Sequence, residues 1–350
     1  MIKIIVDAMG GDNAPQAIVQ GALDAARELG VQITLVGRTE DILRAVEACG
    51  EKTLPSGVEI HNATEVIEMS DDPAFAFKAK KDSSMTVGLN LLRDGAGDAF
   101  VSAGSTGALL SAGTLVTKRI RGIRRAAMAP QVPCMGGRFV LCDCGANAEC
   151  TPEYLLQFAY LGSFYAKRMM KIEKPRVALL NIGAEEEKGD TLRHETYALL
   201  KAAGEQGRIH FIGNIESSDA MLGGADVVVA DGYSGNIMLK SLEGTAKFLM
   251  KQLKQVFLKN TKTKLAAVLV KDQLAELKGL LDAGEIGGTP FLGLSKPVIK
   301  AHGSSDARAI YNAVRQARDF AASGFIADIQ ENIDYMKVDM ASMENGGAKA

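Results

Sequence analysis

The segment DVVVADGYSGNIMLK, residues 226–240, holds a complete strand–turn–helix unit. Residues 226–230 are a short β-branched apolar run, the composition of a strand buried on both faces. Asp231-Gly232-Tyr233-Ser234-Gly235 is a turn with glycine where the backbone must swing sharply or approach another group closely. Asn236 then opens an apolar-periodic helix that runs on past Leu249. Strand, glycine-rich turn and helix start, in that order, present backbone N–H groups to an anion. The same order also describes an ordinary connection with a glycine turn, so the unit must be weighed with the rest of the chain.

Outward from this unit the pattern repeats. Strands are expected at 2–7, 31–36, 58–61, 99–103, 139–142, 176–181, 210–212, 226–230 and 298–301, with helices between most of them. Pro15 suits the first turn of a helix that Gly30 stops. Further helices are expected at 40–49, around Lys78–Lys81, at 85–93, 152–170, 236–258, 264–281 and 306–322. Alternating strand and helix implies right-handed crossovers and a mostly parallel sheet covered on both faces. The expectation is an α/β protein, a three-layer α/β/α Rossmann-like fold with a protruding helical hairpin. Its extent is one catalytic domain over 1–342, with the hairpin at 245–282 and a disordered small, polar tail at 343–350.

One regularity points to a site. Six of the strands end in polar, glycine-bearing loops: 8–13, 104–107, 143–147, 182–190, 231–236 and 302–306. Ligands of open α/β sheets bind outside the carboxyl ends of the strands, so loops of this kind can line one crevice. Its donors are Ser105, Thr106, Asn147, Asn181, Asn236, His302, Ser304 and Ser305, with Lys188 as a point charge suited to phosphate. Lys188 can equally be a solvated loop lysine beside Glu185–Glu187, and His302 a capping histidine. That inventory suits holding a phosphate and a developing oxyanion without a covalent enzyme intermediate.

Composition excludes several classes. The 350 residues are 47% apolar and 23% charged, ordinary globular values, with a net charge of −2 that offers no global field for nucleic acid. No apolar run is long enough to cross a membrane, and residues 1–7 read as a strand rather than a signal peptide. Cysteines 49, 134, 142, 144 and 150 match no zinc spacing and read as reduced, incidental thiols. No G-x-G-x-x-G follows the first strand, and the chain has no P-loop, nucleophile elbow, HExxH or EF-hand spacing. No cofactor and no metal are expected.

The run VDAMGGDNAP (6–15) is similar to the N-terminal signature of the bacterial phosphate acyltransferase family, PlsX. The resemblance continues through SAGSTGA (102–108), DCGAN (143–147), NIGAEEEKGD (181–190), GNIE (213–216), DGYSGNIMLK (231–240) and AHGSSDA (301–307). It spans essentially the whole chain, and no motif is missing. The resemblance implies transfer of an acyl group from acyl carrier protein to inorganic phosphate, giving acyl phosphate for phospholipid synthesis. It also implies a homodimer, a cytoplasmic enzyme associated peripherally with the membrane, and a fold similar to phosphotransacetylases and isopropylmalate-type dehydrogenases. The family's functional lysine falls on Lys188 and its asparagine on Asn236. With His302 these are the candidate catalytic residues. Gly10, Gly11, Asp12, Ser105, Thr106, Gly107, Asp143, Asn147, Asp231, Gly232, Gly235, Gly303 and Ser304 are the candidate substrate-binding residues.

Two surfaces have candidate partners. Lys118, Arg119, Arg121, Arg124 and Arg125 form a basic cluster that would receive an acidic carrier protein, or a solvated charged face. Phe248, Leu249, Leu253, Val256 and Phe257, then Leu265, Val268, Leu269, Leu274, Leu277 and Leu281, repeat at helical spacing and predict an αα-hairpin that packs on a second subunit. At its turn Lys259, Lys262, Lys264 and Lys271 surround Leu265, Val268 and Leu269, a composition that also suits an anionic membrane surface. Competing readings are a phosphotransacetylase acting on acyl-coenzyme A and a non-catalytic phosphate-binding scaffold. A dehydrogenase is weaker still.

Overall fold

Strands with apolar side chains on both faces need apolar cover on both, and the computed structural model, which describes residues 1–281 and 283–336, supplies it. The strands are β1 (Lys3–Asp7), β2 (Gln32–Gly37), β3 (Val58–Asn62), β4 (Ala99–Ser102), β5 (Ala127–Met128), β6 (Gln131–Cys134), β7 (Gly137–Cys142), β8 (Arg176–Leu180), β9 (His210–Ile215), β10 (Val227–Val229), β11 (Thr289–Leu292) and β12 (Val298–Lys300). The helices are α1 (Gln16–Leu29), α2 (Thr39–Ala48), α3 (Ala76–Ala79), α4 (Ser84–Arg93), α5 (Thr106–Ala112), α6 (Pro152–Met169), α7 (Thr191–Glu205), α8 (Ser217–Met221), α9 (Gly232–Leu258), α10 (Thr261–Leu269), α11 (Lys271–Leu281), α12 (Ala283–Ile286), α13 (Ala307–Ala322) and α14 (Phe325–Glu331).

The strands form two sheets. One has seven strands in the order β3-β2-β1-β4-β12-β11-β5, the other five in the order β6-β7-β10-β8-β9. Pairing is parallel except at β11, which runs antiparallel to both β12 and β5, and at β6, which runs antiparallel to β7. The period-2 alternation of strand side chains decides the layers. Ile4 and Val6 enter a core shared with α1 and α13, while Ile5 enters one shared with α4. In the second sheet Val227 and Val229 face α6 and α7, and Val228 faces the opposite core with Phe139 and Leu141. The first of these cores is continuous from Ile4 and Leu23 through Phe158 and Leu200. Helices α1 and α13 cross closely at Gly21, where a Cβ would lie 2.3 Å from the Ala307 carbonyl oxygen.

The strand–helix order expected from the sequence holds, and the differences are local. β5, β6 and β11 were not anticipated. They are two to four residues long, and β6 and β11 each carry a proline, which weakens a strand signal and suits edges or irregular pairing. The helical segment at 264–281 is two helices, α10 and α11, meeting at Val270. Asn260 starts α10 with a capping box, its Oδ1 accepting from the Thr263 N–H at 3.0 Å. Along α9 only Gly232, Gly235 and Met238 are buried, and α10 buries nothing, so most of this hairpin lies in solvent. The expected tail at 343–350 and the end of the catalytic region at 342 lie outside the described residues.

Candidate active site

Parallel pairing puts the polar loops at the carboxyl ends of neighbouring strands. β1, β4 and β12 are adjacent in the larger sheet and bear the loops 8–13, 104–107 and 302–306. β7, β10 and β8 are adjacent in the smaller sheet and bear 143–147, 231–236 and 182–190. Within each set, side chains stitch the loops together. Asn13 Nδ2 donates to the carbonyls of Ser304 and Ser305 at 3.2 and 3.1 Å, and the Asp12 N–H donates to Gly303 O at 2.8 Å. In the smaller sheet Arg193, in the first turn of α7, donates to Asp190 Oδ2 at 3.0 Å, to Ser234 Oγ at 2.8 Å and to Asp231. The Lys188 loop and the Asn236 loop are therefore one construction.

The acidic residues of the 143–147 and 231–236 loops face inward. Asp143 is fully buried, and its carboxylate accepts from the backbone N–H groups of Met128, Cys144, Ala146 and Asn147 and from Asn147 Nδ2. Burial pushes its carboxyl above the ordinary range, with those donors pulling it back down. Asp231 caps α9 by accepting from the Ser234 N–H at 2.9 Å. The oxygens of Asp143 and Asp231 are filled by internal donors, which ties both residues into the loops. Gly232 and Gly235 are also structural in character. Added Cβ atoms would lie 2.5 Å from Asn147 O and 2.0 Å from Asp143 O, so α9 starts in backbone contact with the 143–147 loop. Likewise Gly10 covers Asp7, with a notional Cβ 2.6 Å from Asp7 Oδ2.

Outward-facing groups remain for chemistry. Lys188 is exposed, and its side chain forms no ion pair among the described residues. Asn236 is exposed in the second turn of α9, which begins at Gly232 and not, as expected, at Asn236, because Asp231 caps it; its Oδ1 lies 3.6 Å from a notional Cβ on Gly145. His302 Nδ1 accepts from the Ser304 N–H at 3.2 Å and meets Ser304 Oγ at 2.9 Å, so the neutral ring carries its proton on Nε2. Burial lowers the His302 pKa, Glu243 raises it, and Lys300, Lys240 and Lys247 lower it further. Neutral His302 thus offers an Nε2–H donor. Ser105 caps α5, and Thr106, Gly107 and Gly303 are half-buried beside it and the 302–306 loop. Gly11 sits 3.0 Å, by its notional Cβ, from Gly303 O. No hydrogen bond or ion pair among the described residues joins Lys188 or Asn236 directly to His302. Helix α9 spans the gap: Lys240 and Glu243 act electrostatically on both His302 and Cys144.

Three residues that the loop pattern did not single out prove central. Arg193 binds two loops, and its signal was its position three residues after the capping Asp190. Asp7 and Lys300 end β1 and β12, buried to 1% and 7% exposure. Lys300 terminates the apolar run Val298-Ile299, a buried-strand composition in which a lysine is unexpected. No group of three or more His, Cys, Asp or Glu among the described residues could hold a metal ion. All five cysteines are free thiols, and burial raises those of Cys142 and Cys144 well above the ordinary value.

The basic cluster lies just before β5, at the edge of the larger sheet. Arg119 donates to the Arg124 carbonyl, Arg124 Nε pairs with Glu153 at 3.2 Å, and Arg125 stacks over Tyr154 at 5.6 Å. Arg121 and Lys118 are exposed. Asn147 Nδ2 donates to Ala126 O at 2.8 Å, so the cluster adjoins a site loop.

This architecture defines a class. A phosphotransacetylase from Streptococcus pyogenes superposes with a TM-score of 0.64 at 19% identity, covering 92% of this chain and 94% of that one. A branched-chain phosphotransacylase from Enterococcus faecalis superposes at 0.54 with 17% identity, covering 92% and 100%. At such identities the likeness is one of fold. A family described as "Fatty acid synthesis protein" matches residues 2–328. Relatives named phosphate acyltransferase include one from Oceanobacillus iheyensis, 46% identical over 91% of this chain and 93% of its own length. Another, from Geobacillus thermodenitrificans, is 46% identical over 95% of this chain and 99% of its own. The chain belongs to this phosphate acyltransferase family and is an acyltransferase.

Proposed function

We propose that the enzyme transfers a fatty acyl group from acyl carrier protein to inorganic phosphate, releasing acyl phosphate for phospholipid synthesis. The observation that carries this reading is the near full-length match to relatives named phosphate acyltransferase. The chemistry of the site supports it. A thioester is already activated, so the task is to hold hydrogen phosphate against the carbonyl carbon and stabilise the oxyanion that forms. In the proposed step a phosphate oxygen bonds to the carbonyl carbon. The tetrahedral oxyanion then collapses, the C–S bond breaks, and the proton of hydrogen phosphate ends on the carrier's thiol. Lys188 and the loop amides hold the phosphate, Asn236 donates to the oxyanion or orients the nucleophile, and the His302 Nε2–H is a third donor. An endpoint assay with palmitoyl-carrier protein and labelled phosphate, trapped with hydroxylamine, tests this. A phosphate-dependent, hydroxylamine-sensitive product is expected. The same assay with acyl-coenzyme A separates this enzyme from a phosphotransacetylase. No product from a folded protein would overturn the reading.

Carrier docking belongs to the 118–125 cluster in this proposal, because acidic carriers are steered by complementary charge. Arg121→Glu with Arg124→Glu should raise the KM for acyl carrier protein about tenfold or more and leave that for phosphate unchanged. The exposed Arg124–Glu153 pair contributes less than ~1 kcal/mol, so the fold should survive. Equal changes in both constants would count against a docking role.

The hairpin α9–α11 is proposed to pack in a homodimer and to touch an anionic membrane surface from the cytoplasmic side. No helix among the described residues is long and apolar enough to cross a membrane. What supports surface contact is the exposure of Leu265, Val268 and Leu269, at 64%, 69% and 76%, among exposed Lys259, Lys262, Lys264 and Lys271. Flotation with vesicles containing anionic lipid should carry the protein upward, and Leu265→Asp with Leu269→Asp should abolish this. Flotation independent of anionic lipid would contradict it.

A further inference from the structure

Across β1, β4 and β12 the register aligns Ile5, Phe100 and Val298 in one row, all facing the core that α4 covers. Two residues further along each strand, on the same face, come Asp7, Ser102 and Lys300. An apolar row is thus followed by a buried polar one directly beneath the loops of the larger sheet. Ser102 Oγ donates to Asp7 Oδ2 at 2.6 Å and accepts from the Gly104 N–H at 3.1 Å. Lys300 Nζ donates to the carbonyl of Ala103 at 3.3 Å and to that of Ala301. Those carbonyls belong to the residues that open the 104–107 and 302–306 loops. A buried ammonium is costly unless its hydrogen bonds are made, and here they are made to the two loop bases.

We propose that Lys300 is a positioning residue, whose ammonium clamps the bases of the 104–107 and 302–306 loops so that the Ser105–Gly107 amides and His302 face one phosphate. This rests on the acyl-transfer reading for its substrate, and on the register and hydrogen bonds for the rest. The clamp needs the protonated amine, because a neutral amine is a weaker donor to two carbonyls. Burial lowers the Lys300 pKa to about 8. Asp7 on β1 and Asp12 in the following loop hold it up, and Lys240 on α9 lowers it. Charge on the clamp is therefore complete well below pH 8 and is lost as pH rises through about 8. His302, whose pKa is lowered, is already neutral over that range and does not produce the same limb.

The test follows turnover and the phosphate-dependent rise in melting temperature against pH. Wild-type turnover should fall about tenfold per pH unit above about 8, and the phosphate-dependent stabilisation should fade over the same range. Lys300→Arg, which stays charged, should carry both to higher pH. Lys300→Met should lower kcat and raise the KM for phosphate, with that for the acyl carrier unchanged and the alkaline limb gone. A wild-type profile flat through pH 9 would overturn the proposal even if neither variant folds. So would folded Lys300→Met with wild-type constants, or Lys300→Arg declining along the wild-type limb. If the wild type makes no acyl phosphate yet shows the phosphate-dependent stabilisation and its alkaline fade, the reaction reading falls and the clamp stands.

Discussion

Lys188→Ala is expected to lower turnover at least a hundredfold while moving the melting temperature by no more than about 2 °C. The two halves of this result have separate causes. The Lys188 side chain is exposed and unpaired among the described residues, so its removal leaves no buried partner without a match. What the residue gives the fold is backbone: its N–H donates to Glu185 O at 3.2 Å, and its carbonyl accepts from Asn181 Nδ2 at 2.9 Å. Both bonds survive truncation. The catalytic cost comes from charge. Without the ammonium, a phosphate dianion would face Glu185, Glu186 and Glu187, of which only Glu186 is paired among the described residues, with Lys201 at 3.1 Å. A preorganised charged donor is worth about 3 kcal/mol in the transition state, and a hundredfold corresponds to about 2.7 kcal/mol. Steady-state kinetics on a variant with an unchanged circular dichroism spectrum measure this. Near-parent turnover would remove Lys188 from the mechanism.

Gly235→Ala should do the opposite, striking the fold first and activity as a consequence. Its Cβ would lie 2.0 Å from Asp143 O and 3.2 Å from Cys144 Cα. Both are backbone atoms, which cannot rotate aside as a side chain could. Either α9 or the 143–147 loop must retreat, and Asp143 cannot follow without giving up the N–H groups that fill its carboxylate. Overpacking of this kind costs about 3 kcal/mol, so the melting temperature should drop by roughly 4 °C. Asn236, one residue further on, would move with the helix, and turnover should fall with it. Gly244 in the same helix has nothing within 4 Å of its notional Cβ. Gly244→Ala should therefore be neutral or stabilising by up to about 1 kcal/mol. Comparable melting temperatures for the two variants would refute the contact.

The loops were legible because their signals are local. A β-branched run followed by glycine and polar residues announces a strand end wherever it occurs, and the motifs carrying Lys188, Asn236 and His302 are contiguous in the chain. The roles of Asp143 and Asp231 were not legible, since an acidic residue in a glycine loop looks the same whether it turns outward to a ligand or inward to backbone N–H groups. Only the surrounding donors distinguish the two. β6 and β11 went unseen because each is short and interrupted by proline, and their partners β7 and β12 supply the order that the segments do not declare by themselves.

Composition and local periodicity were enough to establish the alternation of strand and helix, mostly parallel pairing with both faces covered and the polar strand ends, and contiguous motifs carried the family resemblance, since each depends on near neighbours in the chain. The division into two sheets, the tie that Arg193 makes between two loops, and the row of Asp7, Ser102 and Lys300 came from folding alone. Residues 7, 102 and 300 are far apart in sequence and become neighbours through strand register, which is set by packing across the whole sheet. A lysine at the end of a short apolar strand looks like a surface residue until that packing buries it.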